Sequence, residues 1–93
     1  MWYNVFIERR QDMELLDTVE LMASDDYKNR MKAEYLQTKI RYDKLHKMIV
    51  KYESNTLDFE PSCSLDLLKK QASVMGQYLY YLECRAEIEG IEL

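Results

Sequence analysis

The chain has 93 residues, of which 47% are hydrophobic and 32% charged, with a formal net charge of −4. That length suits one domain, residues 1–93, burying roughly 60 to 70% of its unfolded surface, and the composition lies well away from the signature of disorder. The acidic balance speaks against direct binding to a nucleic-acid backbone, and no apolar run approaches the roughly 18 residues of a membrane span.

Trp2 to Ile7 (WYNVFI) is aromatic and β-branched, and a polar patch, Glu8 to Asp12, follows it. It reads as a short strand or a docking arm. Without a basic n-region or a long apolar h-region it does not resemble a secretion signal, so a cytoplasmic location is expected. From Asp12 to about Met22, the residues Leu15, Val19 and Met22 recur at spacings of four and three with Leu16 alongside, which predicts a short amphipathic helix of about three turns. Residues 1–23 are thus an N-terminal arm and short helix.

Ser24, Asp25 and Asp26 offer N-caps and negative charge to the first turn of a new helix, placed at 24–53. It spans about 28 residues, roughly 42 Å, with no Gly or Pro inside. Met31, Tyr35, Thr38, Tyr42, Leu45, Ile49 and Tyr52 alternate at four and three along it, forming one seam. Residues 54–63, with Asn55, Asp58 and the sole proline, Pro61, form a link. Ser62 or Ser64 then caps a second long helix at 64–89, Asp66 favours its first turn, and Gly90 is placed to stop it. Leu68, Ala72, Met75, Leu79, Leu82 and Ala86 repeat the same alternation. Gly76 lies inside this helix, where it costs up to about 1 kcal/mol against Ala, and points to a close helix approach.

Two seams and one short link predict an all-α fold, an antiparallel long helical hairpin with a short N-terminal arm or helix. Each long helix also carries a second stripe: Leu36, Ile40 and Met48 on the first, and Leu67, Val74, Tyr78, Tyr81 and Ile88 on the second. One mutual interface cannot cover both stripes of both helices, so the N-terminal segment or another copy must do so. Assembly into a homo-oligomeric bundle is therefore expected.

Charge is unevenly spread. Residues 1–23 sum to −3, residues 24–53 to +3 and residues 54–93 to −4. The basic helix, with Lys28, Lys32, Lys39, Lys44, Lys47 and Lys51, reads as a solvated face that also pairs with the acidic segments; its second reading is a site for a small anion. Cys63 and Cys84 stand apart, in no CxxC pattern, and read as free thiols, so neither a metal site nor a cofactor is expected. His46 is the only histidine and sits in mid-helix without nucleophile or oxyanion partners. No enzymatic activity is expected.

Eight of the eleven aromatic residues are tyrosines. Most are accounted for as core residues with polar edges, since a tyrosine offers a flat face and a hydroxyl that needs a partner when buried. A functional reading is a composite ligand site between subunits, in which Tyr27 and Tyr42 stack on a base while Lys28, Arg30, Arg41 and Arg85 hold phosphates.

SDDYKNRMKAEYLQTKIRYDKL (Ser24 to Leu45), the proline and cysteine before SLDLLKKQ (Pro61 to Gln71) and the closing YLECRAEIEGIEL (Tyr81 to Leu93) together resemble a family of small helical-hairpin proteins of phages and prophages related to a crAss-like phage protein. The hairpin is also similar in architecture to the helical-hairpin domain of phage anti-CBASS and anti-Thoeris sponge proteins, although none of their ligand-binding residues is matched to a position here. The resemblance implies a phage anti-defence protein, acting in the cytoplasm of an infected or lysogenic bacterium, that sequesters a nucleotide immune signal of cyclic oligonucleotide or cyclic ADP-ribose type without cleaving it. Its implied partners are further copies of itself and a small nucleotide. An alternative is a protein-binding inhibitor of a host defence complex, resembling an anti-CRISPR or other host-takeover factor, with Glu83, Glu87, Glu89 and Glu92 imitating nucleic acid. A third is a structural component with no ligand.

Overall fold

In the computed structural model, residues 13–93 are described, and among them every regular element is helical. A 3-10 turn, Leu15–Thr18, runs into the short helix α1, Val19–Met22; the long helices are α2, Tyr27–Glu53, and α3, Leu65–Glu89. The strand or docking arm expected at Trp2 to Ile7 lies outside the described residues.

Local chemistry accounts for the helix ends. Asp26 has extended backbone and its carboxylate accepts the Lys28 N–H at 3.0 Å, while the Ser24 hydroxyl oxygen accepts the Asp26 N–H at 3.1 Å. Of the two serines before α3 it is Ser64 that caps, its hydroxyl oxygen accepting the Leu67 N–H at 3.2 Å. Gly90 ends α3 in the left-handed region, at φ 69°, and its N–H donates to the Ala86 carbonyl. The conformation is one that glycine adopts without a Cβ penalty. Asn55, at φ 61°, makes the other left-handed turn just after α2, a position asparagine tolerates better than most residues.

α2 and α3 pack antiparallel along their seams. Met31, Leu82 and Ala86 are buried together with Ile91, which follows the helix stop, and Tyr35 packs against them. Ile49 and Leu79 are buried as well. A fully buried leucine contributes roughly 1.5 to 3 kcal/mol, so Leu79 and Leu82 are the principal apolar ties between the helices. Cross-helix contacts mark the register: the Tyr27 hydroxyl donates to Glu89 at 3.1 Å, Tyr35 donates to Glu83 at 2.6 Å, and the Lys69 ammonium meets Glu53 at 2.9 Å. The Tyr42 ring of α2 lies over Gly76.

The N-terminal segment differs from the three-turn helix that spacing predicts. Its buried residue is Thr18, with Leu15 and Leu21 half-buried, whereas Leu16, Val19 and Met22 are exposed. A 3-10 turn has three residues per turn and eclipses positions three apart, so the buried phase becomes 15, 18 and 21 instead of 15, 19 and 22. Hydrogen bonds hold it there: the Thr18 hydroxyl donates to the Leu15 carbonyl at 2.7 Å, and Gln37 of α2 donates to the Thr18 oxygen at 2.8 Å. This segment packs on α2 and not on α3. On that side Ala33 is buried, while Leu36 and Ile40 are half-buried.

Candidate functional site

The residues singled out as ligand contacts fall into two places on the hairpin. At the end where α2 begins and α3 finishes, the Glu89 carboxylate accepts from the Tyr27 hydroxyl at 3.1 Å and from the Arg85 Nε–H at 3.2 Å. Tyr27 and Arg85, far apart in sequence, thus meet through a carboxylate. The hydrogen bond to Glu89, with its nearby negative charge, raises the Tyr27 phenol above its ordinary pKa. Lys28 is exposed beside this cluster. Arg30 serves the backbone instead, its Nη1 donating to the Ser24 carbonyl at 2.8 Å and bracing the turn before α2.

Arg41 and Tyr42 lie about 22 Å further along α2, some fifteen residues of helical rise from Tyr27. A single chain therefore does not bring all six residues into one pocket. Arg41 is exposed, and among the described residues it enters no ion pair. Tyr42 is half-buried and stacks on His46, one turn later, with ring centroids 6.0 Å apart and planes 10° from parallel. These two rings border an open groove of about 270 Å³ that continues over Ile49 and Val50 to the Glu53–Lys69 ion pair and to Ala72 and Ser73. A second groove of about 300 Å³ lies by the link, against Tyr52, Leu57 and Phe59.

The sequence reading does not find His46 and Lys69 as groove residues. His46 has one legible signal, the four-residue spacing from Tyr42; Lys69 has none, because only the hairpin turn brings it to α2. Between the two sites, burial pushes the Tyr35 phenol up to about 12, and the hydrogen bond and charge of Glu83 add to the effect. Both cysteines are free thiols, Cys63 exposed and Cys84 half-buried. Among the described residues no group of three His, Cys, Asp or Glu side chains is placed to hold a metal ion, and no helix is long and apolar enough to cross a membrane.

α2 thus carries the exposed cations Lys28 and Arg41 and the Tyr42–His46 ring pair. The model of the Sequestin family matches residues 25–88, from the cap of α2 almost to the end of α3. The chain belongs to the Sequestin family. The match takes in both long helices and the link, and so the Tyr42–His46 groove, Arg41 and Arg85; it leaves out the 3-10 turn and α1. The family's name is consistent with a sequestering function. No curated protein and no solved structure matches the chain.

Proposed function

We propose that this protein binds a nucleotide immune signal of bacterial defence, of the cyclic oligonucleotide or cyclic ADP-ribose type, and withholds it from its receptor without cleaving it, as a phage-encoded anti-defence protein. The observation that carries the reading is membership of the Sequestin family over both long helices. The site chemistry is compatible with it. Tyr42 and His46 offer a stacked aromatic edge beside a groove, and base stacking on aromatic faces is worth roughly 1 to 3 kcal/mol per base. Arg41 brings an exposed guanidinium suited to bidentate phosphate contact, while Lys28 adds cationic charge at the far end. Arg85 is already engaged by Glu89, so a phosphate there would have to displace a carboxylate.

A trap of this kind performs no chemistry; it acts as a competing binder whose effect depends on affinity and copy number. Native mass spectrometry with a panel of cyclic dinucleotides, cyclic trinucleotides and cyclic ADP-ribose isomers tests it. Discrete additions of an intact nucleotide are expected, and they are expected to vanish in Arg41→Ala while helical circular dichroism stays unchanged. No addition from any panel member, or release of a cleaved product, would overturn the reading.

A further inference from the structure

The Lys69 ammonium of α3 meets the Glu53 carboxylate of α2 at 2.9 Å, where the groove bordered by Tyr42 and His46 ends. Both side chains stay about half-exposed, at 52% and 48%, and an ion pair so open to water contributes little to stability. The same openness leaves it within reach of a ligand. Lys69 uses one of its three N–H donors there, on Glu53 Oε2, and among the described residues Oε1 accepts from no donor. Donors and acceptors thus stand side by side at one end of the groove. Towards the other end, Tyr42 and His46 form a ladder of stacked rings one helical turn apart, and His46 is exposed. A third ring on that ladder, against the face of His46 remote from Tyr42, comes level with Val50, which is 48% exposed and lines the groove. From residue 50 to residue 53 the helix rises about 4.5 Å. Helical side chains tilt towards the N-terminus, which brings the Glu53 carboxylate back towards that level and towards the edge of such a ring.

We propose that this groove takes a guanine base, its face on His46 and its edge on the Glu53–Lys69 pair. The inference rests on the nucleotide reading and narrows it to signals that contain guanine. Charge decides between a base and a phosphate at this end. The pair sums to zero, and a phosphate would have to displace the Glu53 carboxylate from Lys69 against its repulsion. A neutral base edge leaves the pair intact, because a carboxylate has about four lone-pair sites and Oε2 accepts from the base while still bound by Lys69. Among the common bases guanine presents two adjacent donors, N1–H and N2–H, beside an acceptor, O6. The two oxygens of Glu53 match the donors, and a second N–H of Lys69 matches O6. Adenine and cytosine each bring a single amino donor flanked by ring-nitrogen acceptors, so one carboxylate oxygen goes unmatched. Uracil sets its one N–H between two carbonyls and turns one of them against the carboxylate. The groove, of about 270 Å³, is at the small end for a ligand site and suits one base of a larger molecule.

The test is calorimetric titration of the full chain with the cyclic dinucleotides of guanine, hypoxanthine and adenine, and with cyclic ADP-ribose. Guanine is expected to bind at least about fivefold more tightly than adenine, the lower end of what a bidentate base contact gives. Hypoxanthine, which lacks the N2 amino group, is expected to fall between them. Glu53→Gln keeps the shape of the side chain but turns one acceptor into a donor, and is expected to abolish the guanine preference with helical circular dichroism unchanged. Lys69→Met removes the donor to O6 and is expected to weaken guanine binding as well. Equal affinity for guanine and adenine, tightest binding of cyclic ADP-ribose, or a preference that survives Glu53→Gln overturns the guanine assignment and leaves the sequestering reading standing. Absence of binding to every one of these ligands overturns both.

Discussion

Replacing Gly76 by alanine is expected to stabilise the protein, although the Tyr42 ring of α2 lies over the glycine. An interior glycine costs a helix up to about 1 kcal/mol relative to alanine, through the extra backbone freedom lost on folding. The counter-effect would be a clash with α2, and the geometry excludes one. A Cβ at Gly76 would sit 3.5 Å from Tyr42 Cε1, 3.7 Å from its hydroxyl oxygen and 3.8 Å from Cζ, all ordinary van der Waals distances. Each such contact gains about 0.1 to 0.2 kcal/mol, so packing adds to the helix term instead of opposing it. The sum is about 1 to 1.5 kcal/mol of added stability, worth a rise in Tm of roughly 4 to 12 °C for a domain of this size. Thermal and urea unfolding followed by circular dichroism measure it. Gly76→Leu is the control, since a larger side chain must push the Tyr42 ring off the helix and is expected to cost about 1 to 3 kcal/mol. An unchanged or lowered Tm in Gly76→Ala would refute the reasoning, by showing that the ring cannot share its place over α3.

Three further outcomes follow from the same structure. Leu82→Ala, at a side chain only 2% exposed among Met31, Ala86 and Ile91, is expected to lower stability by about 2 to 5 kcal/mol in urea unfolding; a cost under about 1 kcal/mol would mean that the hairpin does not depend on this cluster. Ser64→Ala removes the cap of α3 and is expected to cost about 1 kcal/mol, whereas Ser62→Ala is expected to change little; equal effects would place the cap elsewhere. The Tyr35 phenol, raised to about 12 from an ordinary value of 10.0, holds its proton more tightly in the folded chain than in the unfolded one. Its contribution is thus fully present below about pH 10 and is lost as pH rises towards 12. Tyr35→Phe is expected to weaken this alkaline loss while losing the Glu83 hydrogen bond at neutral pH, and an identical alkaline profile in the variant would count against the assignment.

Much of the fold is legible in the residues because its signals are local. The four-and-three spacing of Met31 to Tyr52 and of Leu68 to Ala86, the acceptors Asp26 and Ser64 and the left-handed stop at Gly90 each act within a turn or two of chain. The N-terminal segment shows where local reading stops. Its apolar spacing fits an α-helix, yet the hydrogen bond from Gln37 to Thr18 and the packing on α2 select a three-residue period that buries a threonine. The candidate site is legible in residue types but not in grouping. Tyr27 joins Arg85 through Glu89 only because an antiparallel neighbour arrives there, and the same register sets the Tyr42 ring over Gly76, whereas the distance of Tyr42 from Tyr27 follows from the rise of their common helix.

The sequence by itself determined that two long amphipathic helices form and that each carries more apolar surface than one partner can cover, because periodicity and capping are properties of neighbours in the chain. Which of those surfaces is covered was decided only by the tertiary structure. The short N-terminal helix has a single side to bury and buries it on α2, so α3 is left with an open stripe. That choice depends on distances between residues far apart in sequence, which spacing along one helix does not encode.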